Sequence, residues 1–225
     1  MPRRPRLATG GVVYHVLNRR VGKLLLFETP GDYIAFERVL AEVVSQTRIR
    51  IVAYCVMPNH WHLLLWPRID GELSEVMRWI TVTHTQRWHA FHGTSGTGPL
   101  YQGRFKSFPV QSDEYFLTVA RYVERNALRA NLVRRAENWR WSSLWRRYKG
   151  NAKATSWVSP WPLTRPRNWL QYVNRAETPD ELEALRESAQ RGTPYGTEKW
   201  RLRTAKRLGL ESTLRPRGRP RKRDA

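Results

Sequence analysis

The pattern of apolar and polar positions resolves the first 130 residues into four strands and three helices. Val12-Val13-Tyr14-His15-Val16-Leu17-Asn18 reads as the first strand. Thr29-Pro30-Gly31-Asp32 opens a helix: Thr29 caps it, Pro30 suits its first turn, and Asp32 completes a capping box. Phe36, Val39, Leu40 and Val43 give that helix one apolar face. Residues 51–56 and 60–66 form two strands joined by a tight turn at Pro58-Asn59. Leu73, Val76, Met77, Ile80, Trp88 and Phe91 recur at helical spacing, which predicts a second helix over about 72–92. Residues 92–99 carry three glycines and a proline and read as a flexible loop. Residues 104–110 form a fourth strand, with Arg104, Lys106 and Phe108 on one face. Ser112-Asp113 starts a third helix, which runs to about residue 130.

This order suits an α+β fold, a ferredoxin-like antiparallel sheet with packed helices. Nucleic-acid binders often use such a sheet, although a fold alone does not give chemistry. Beyond residue 150 the pattern loosens. Trp157, Trp161 and Trp169 lie among prolines and polar residues and suggest a segment wrapping the core. Residues 178–190 and 197–208 read as two more helices, either a helical hairpin of helix-turn-helix type or two packing helices. The domain reading is a body over 1–150, a wrap and helical pair over 151–210, and a basic tail over 211–225.

Composition sharpens the partner. Lys and Arg number 40 against 19 acidic residues in 225, a formal charge of +21. That excess argues against a neutral metabolic enzyme with a small-molecule substrate and points to a polyanion, with nucleic acid first. The bias to Arg favours phosphate and base recognition. Cys55 is the only cysteine, which excludes an intrachain disulfide and multi-cysteine zinc. No apolar run suits a signal peptide or a membrane span, so a cytoplasmic, nucleoid-associated protein without a membrane partner is expected.

Candidate chemistry centres on His60-Trp61-His62. Histidines at i and i+2 on a strand share one face, with Trp61 on the other. Such a pair holds one divalent metal ion or is simply two half-buried histidines. On the third helix, Tyr122 and Asn126 stand at i and i+4, about 40° apart around the axis. They border an apolar seam of Phe116, Val119, Ala120, Val123 and Ala127 and a basic stripe of Arg121, Arg125 and Arg129. A nucleophile acting on a phosphate backbone needs that border position. Two imidazoles and an amide oxygen make a three-ligand site with open positions. Tyr115, two turns earlier, is the rival nucleophile. His15 lies on a sheet surface that DNA can reach, and His84, His89 and His92 read as helix-surface residues.

The run from Met57 to Leu65, Met-Pro-Asn-His-Trp-His-Leu-Leu-Leu, resembles the signature of single-tyrosine HUH transposases. Tyr101-Gln102-Gly103-Arg104-Phe105-Lys106-Ser107 followed by Tyr122-Val123-Glu124-Arg125-Asn126-Ala127 resembles the REP-associated tyrosine transposases within that group. Trp139-Arg140-Trp141-Ser142-Ser143 is similar to a segment those proteins carry after the tyrosine helix. The resemblance covers roughly residues 8–150. It implies His60 and His62 as ligands of Mg2+ or Mn2+, Tyr122 as nucleophile, and Asn126 in the place of the polar third ligand, where some relatives have glutamine. It further implies nicking and strand transfer on single-stranded or hairpin DNA, through a covalent phosphotyrosine, by a monomer or homodimer. A DNA- or RNA-binding protein without activity and a metal phosphoesterase using water are the competing readings.

Arg19, Arg20, Arg104 and Lys106, with Arg121 and Arg125 of the stripe, are the expected contacts to the DNA backbone. Arg217-Gly218-Arg219-Pro220 in the tail resembles an AT-hook, in which glycine lets the chain lie flat in a narrow minor groove between two inserted arginines.

Overall fold

The computed structural model describes residues 8–151 and 156–215. Four strands, β1 (Val13–Arg19), β2 (Arg50–Met57), β3 (His60–Trp66) and β4 (Lys106–Val110), form one antiparallel sheet in the order β2-β3-β1-β4. Helix α1 (Pro30–Gln46) connects β1 to β2, and α2 (Glu72–His92) connects β3 to β4. This is the expected ferredoxin-like α+β arrangement. The capping box that starts α1 is present: Thr29 accepts from the Asp32 amide, and the Asp32 carboxylate accepts from the Thr29 amide.

The period of two along the strands divides the core into two layers. Tyr14, Val16, Val56, Trp61, Leu63 and Leu65 pack beneath α1 and α2, where the Trp61 ring stacks on Phe36 at 5.7 Å. Val13, Cys55, Leu64, Phe108 and Val110 pack on the opposite face against α3 (Glu114–Glu124). Cys55 is fully buried, and burial pushes its thiol up to about 12, in keeping with a small core residue.

Two segments differ from the sequence pattern. The fourth strand begins at Lys106 rather than Arg104, which lies in the bend before it. The third helix does not run unbroken to residue 130: a turn at Arg125 separates α3 from the short α4 (Asn126–Arg129). Hydrophobic spacing continues across the turn, so periodicity alone does not reveal it.

The chain beyond 130 wraps the sheet. At the β2 edge, Trp141 and Ser142 lead into α5 (Ser143–Lys149), Val56 N donates to the Trp141 carbonyl at 2.9 Å, and Ser159 N donates to Ile51 at 2.9 Å. Trp139 and Trp161 each donate an indole N–H to a β2 carbonyl, at Val56 and Val52, both at 2.8 Å. Helices α6 (Trp169–Asn174) and α7 (Pro179–Arg191) follow, and α7 packs against β4. Gly192, in left-handed conformation at φ 76°, ends α7 close against the Ser107 carbonyl. Tyr195 then bonds along β4, donating to Pro109 and accepting from Gln111, before α8 (Glu198–Leu208) begins. A segment stitched to the sheet therefore separates α7 from α8. Among the described residues no helix is long and apolar enough to cross a membrane. The tail residues Arg217, Gly218, Arg219 and Pro220 lie outside the described residues.

Candidate active site

β3 places His60 and His62 on the sheet face covered by α3, beside His15 of the neighbouring β1. The His60 and His62 rings are 5.0 Å apart, and His62 and His15 are also 5.0 Å apart. Tyr122, half-buried on α3, sets its ring edge-on to both, 5.7 Å from His62 and 6.0 Å from His15. The structure thus brings the predicted tyrosine to His62, one of the predicted histidine pair, and to His15. Tyr115 lies elsewhere, edge-on to Tyr195 at 5.5 Å.

The hydrogen bonds leave defined atoms open. His60 Nδ1 is 2.6 Å from Asn59 Oδ1, and His62 Nδ1 is 2.8 Å from His15 Nε2. The Nε2 atoms of His60 and His62 have neither a partner nor a buried, sealed position among the described residues. The same holds for the Tyr122 hydroxyl and the Asn126 amide, although Asn126 as a whole is buried. Burial pushes His60 down to about 4 and His62 well below its ordinary value, with Arg19 and Arg129 adding to both and His60 and His15 adding at His62. Both imidazoles are neutral at physiological pH, the form that ligates a cation. Among the described residues no three His, Cys, Asp or Glu side chains gather as a metal site. The open nitrogens of the two imidazoles are donors of the kind a divalent cation takes.

His15 departs from the sequence expectation. It is fully buried and pushed down to about 3 by burial and by Arg129, so it supports the site from beneath rather than meeting DNA. His84 also differs: it is buried and bonds Tyr101 at 2.6 Å.

The arginines separate into two groups. Arg121 is buried against Glu181 at 2.6 Å and under Tyr172 at 4.3 Å. Arg125 and Arg129 share the carboxylate of Glu177, at 3.0 and 2.7 Å. Arg20 bonds the Leu25 carbonyl, stacks on Trp88 at 4.3 Å and lies 3.5 Å from Glu28. Arg20, Arg121 and Arg125 are therefore engaged in contacts within the protein. Their charge shows in the sequence, but the glutamates that pair with Arg121 and Arg125 lie 60 and 52 positions away. Arg19, Arg104 and Lys106 make no ion pair among the described residues. These three line a groove of about 570 Å³ beside β1, together with Asn18, Gln102 and Gln190. Arg129 was not among the expected site residues. Its guanidinium lies over the Tyr122 ring at 4.1 Å and reaches back to the Tyr122 carbonyl at 3.3 Å.

Among known protein families, the one described as "Transposase IS200 like" matches residues 10–126. No curated protein matches the chain. Of solved structures, a REP-associated tyrosine transposase bound to a REP hairpin is 18% identical, with a TM-score of 0.55, over 79% of this chain and 92% of that one. A putative transposase from Deinococcus radiodurans R1 is 16% identical, with a TM-score of 0.38, over 55% of this chain and 96% of that one. The first likeness establishes the shared fold.

Proposed function

This chain belongs to the IS200-like transposase family, and we propose that it is a metal-dependent endonuclease and strand-transferase acting on single-stranded or hairpin DNA through Tyr122. The observation that carries the reading is the meeting of Tyr122 with the histidine face, at 5.7 Å from His62, with every donor atom that the chemistry needs left open. The likeness to a REP-associated transposase bound to a REP hairpin supports a hairpin as the substrate.

His60, His62 and Asn126 would hold a divalent cation, Mg2+ or Mn2+, whose chemistry when bound is to neutralise charge on the scissile phosphate. Arg19, Arg104 and Lys106 hold the strand backbone in the adjoining groove. The Tyr122 oxygen attacks phosphorus, its proton passes to water, and the bond from phosphorus to the 3′ oxygen breaks. That oxygen takes a proton from water and leaves as a 3′-hydroxyl, and a phosphotyrosine remains. Arg129 sets positive charge over the ring on which the phenolate forms. A 3′-hydroxyl attacking the phosphotyrosine reverses the step, so strands rejoin without a nucleotide cofactor.

The test is incubation with single-stranded hairpin DNA and Mn2+, followed by denaturing electrophoresis. A covalent protein–DNA adduct is expected, absent in Tyr122→Phe. Free cleaved DNA without an adduct, unchanged in Tyr122→Phe, would establish a phosphoesterase instead. Binding without cleavage across many hairpins would establish a DNA-binding protein.

A further inference from the structure

A neutral imidazole carries one N–H and one lone pair, and only the lone pair ligates a cation. Which nitrogen holds it is set by the hydrogen bond that the other makes. At His60 the geometry is directional. Asn59 Nδ2 donates to the Lys23 carbonyl at 3.4 Å, which turns Asn59 Oδ1 toward His60 Nδ1 at 2.6 Å. An amide oxygen only accepts, so His60 Nδ1 donates and its Nε2 bears the lone pair. Lys23 itself, the last residue of a short 3-10 turn over Val21–Lys23, stands at φ 61°, a left-handed conformation that a lysine rarely adopts.

His62 is braced from the other side, through its Nδ1 and His15 Nε2 at 2.8 Å, with both rings buried. Its Nε2 bears a lone pair when His62 donates and His15 accepts. The hydrogen of His15 then sits on Nδ1, which is buried without a partner. The tautomers of this pair are therefore more closely balanced than those of His60, and a cation in the cleft favours the one in which His62 donates.

We propose that Asn59 and His15 are positioning residues of the nicking centre, directing the Nε2 lone pairs of His60 and His62 into the cleft. The proposal rests on the reading of these histidines as metal ligands. It is tested by Mn2+ titration calorimetry on the full chain, with melting temperatures alongside. Asn59→Ala and His15→Phe should each weaken Mn2+ binding by about 10- to 100-fold, the usual effect of removing a ligand's supporting partner. Asn59→Asp and His15→Gln each keep an acceptor in place and should retain affinity within about threefold. Wild-type affinity in Asn59→Ala or in His15→Phe would overturn that residue's role. Histidine 15N spectra of the metal-free wild type judge the central claim even where a variant fails to fold. They should place the His60 hydrogen on Nδ1, and a hydrogen on Nε2 would overturn the proposal. A wild type that takes up no Mn2+ would instead refute the metal reading, while the spectra still decide the tautomer.

Discussion

The histidines beneath Tyr122 are neutral because they are buried, and His84 on the opposite layer of the core shares that condition. Burial pushes His84 down to about 3, outweighing the opposing influence of Asp32, while it bonds the Tyr101 hydroxyl. In the unfolded chain a histidine titrates near roughly 6.5. Between those values the unfolded chain binds the additional proton, so this contribution to stability is complete above about 6.5 and is lost as pH falls toward 3. Melting temperatures taken from pH 7 down to 4 should decline, and His84→Asn should flatten the decline. Equal slopes in the two proteins would show that another group governs it. At the site, Asn126→Ala should leave the fold intact and weaken Mn2+ binding by about tenfold, read by calorimetry. The pairing of His60 with His62 was legible because a strand repeats every two residues. The places of His15 and Asn59 were not, because they depend on which strand lies beside β3 and on which way a side-chain amide is turned.

The helix that carries Tyr122 is held by carboxylates from the wrap. Glu177 is 1% exposed and joins Arg125 to Arg129, and Arg129 also engages the Tyr122 ring and carbonyl. Glu124, fully buried on the same helix, accepts from Ser143 at 2.6 Å and from Trp169 at 2.8 Å. The chain beyond residue 150 thus helps to fix the helix, and the turn at Arg125 lies where these bonds converge. Glu177→Gln should cost about 1–3 kcal/mol of stability, because it leaves two partly buried guanidiniums without a carboxylate. It should also lower adduct formation more than DNA affinity, which single-turnover cleavage and filter binding together would distinguish. The basic stripe was visible as a helical repeat. Its partners were not, since Glu177 lies 48 and 52 positions from Arg129 and Arg125, and Glu181 lies 60 from Arg121. Charge type alone does not say whether an arginine meets a phosphate or a glutamate.

At the scale of the whole molecule, the strand–helix order was legible from periodicity, down to the capping box of α1. The course of the wrap was not, because tryptophans that read as covering the core do not say which strand they meet. Trp139 and Trp161 instead donate to β2 carbonyls, while Trp157 stacks on Tyr54 at 5.1 Å. The segment after Leu214 holds six Arg or Lys residues among eleven, including Arg217 and Arg219 around Gly218. Its deletion should weaken hairpin affinity and reduce the dependence of binding on salt, while adduct formation at saturating DNA stays intact. Loss of the adduct at saturation would assign the tail to the nicking centre.

The wrap also finishes the sheet. β2 is bonded by residues of the 141–159 stretch, and β4, which contains Pro109, is bounded by Gly192 and Tyr195. Among the described residues both outer strands thus have part of their border taken up by the wrap, which leaves a second copy less strand on which to extend the sheet. Two copies would also have to meet across surfaces that repel, since each chain carries a formal +21. Nucleic acid relieves that repulsion where another protein copy does not. Sedimentation without DNA should therefore show single chains, and any pairing should appear only when a hairpin bridges them.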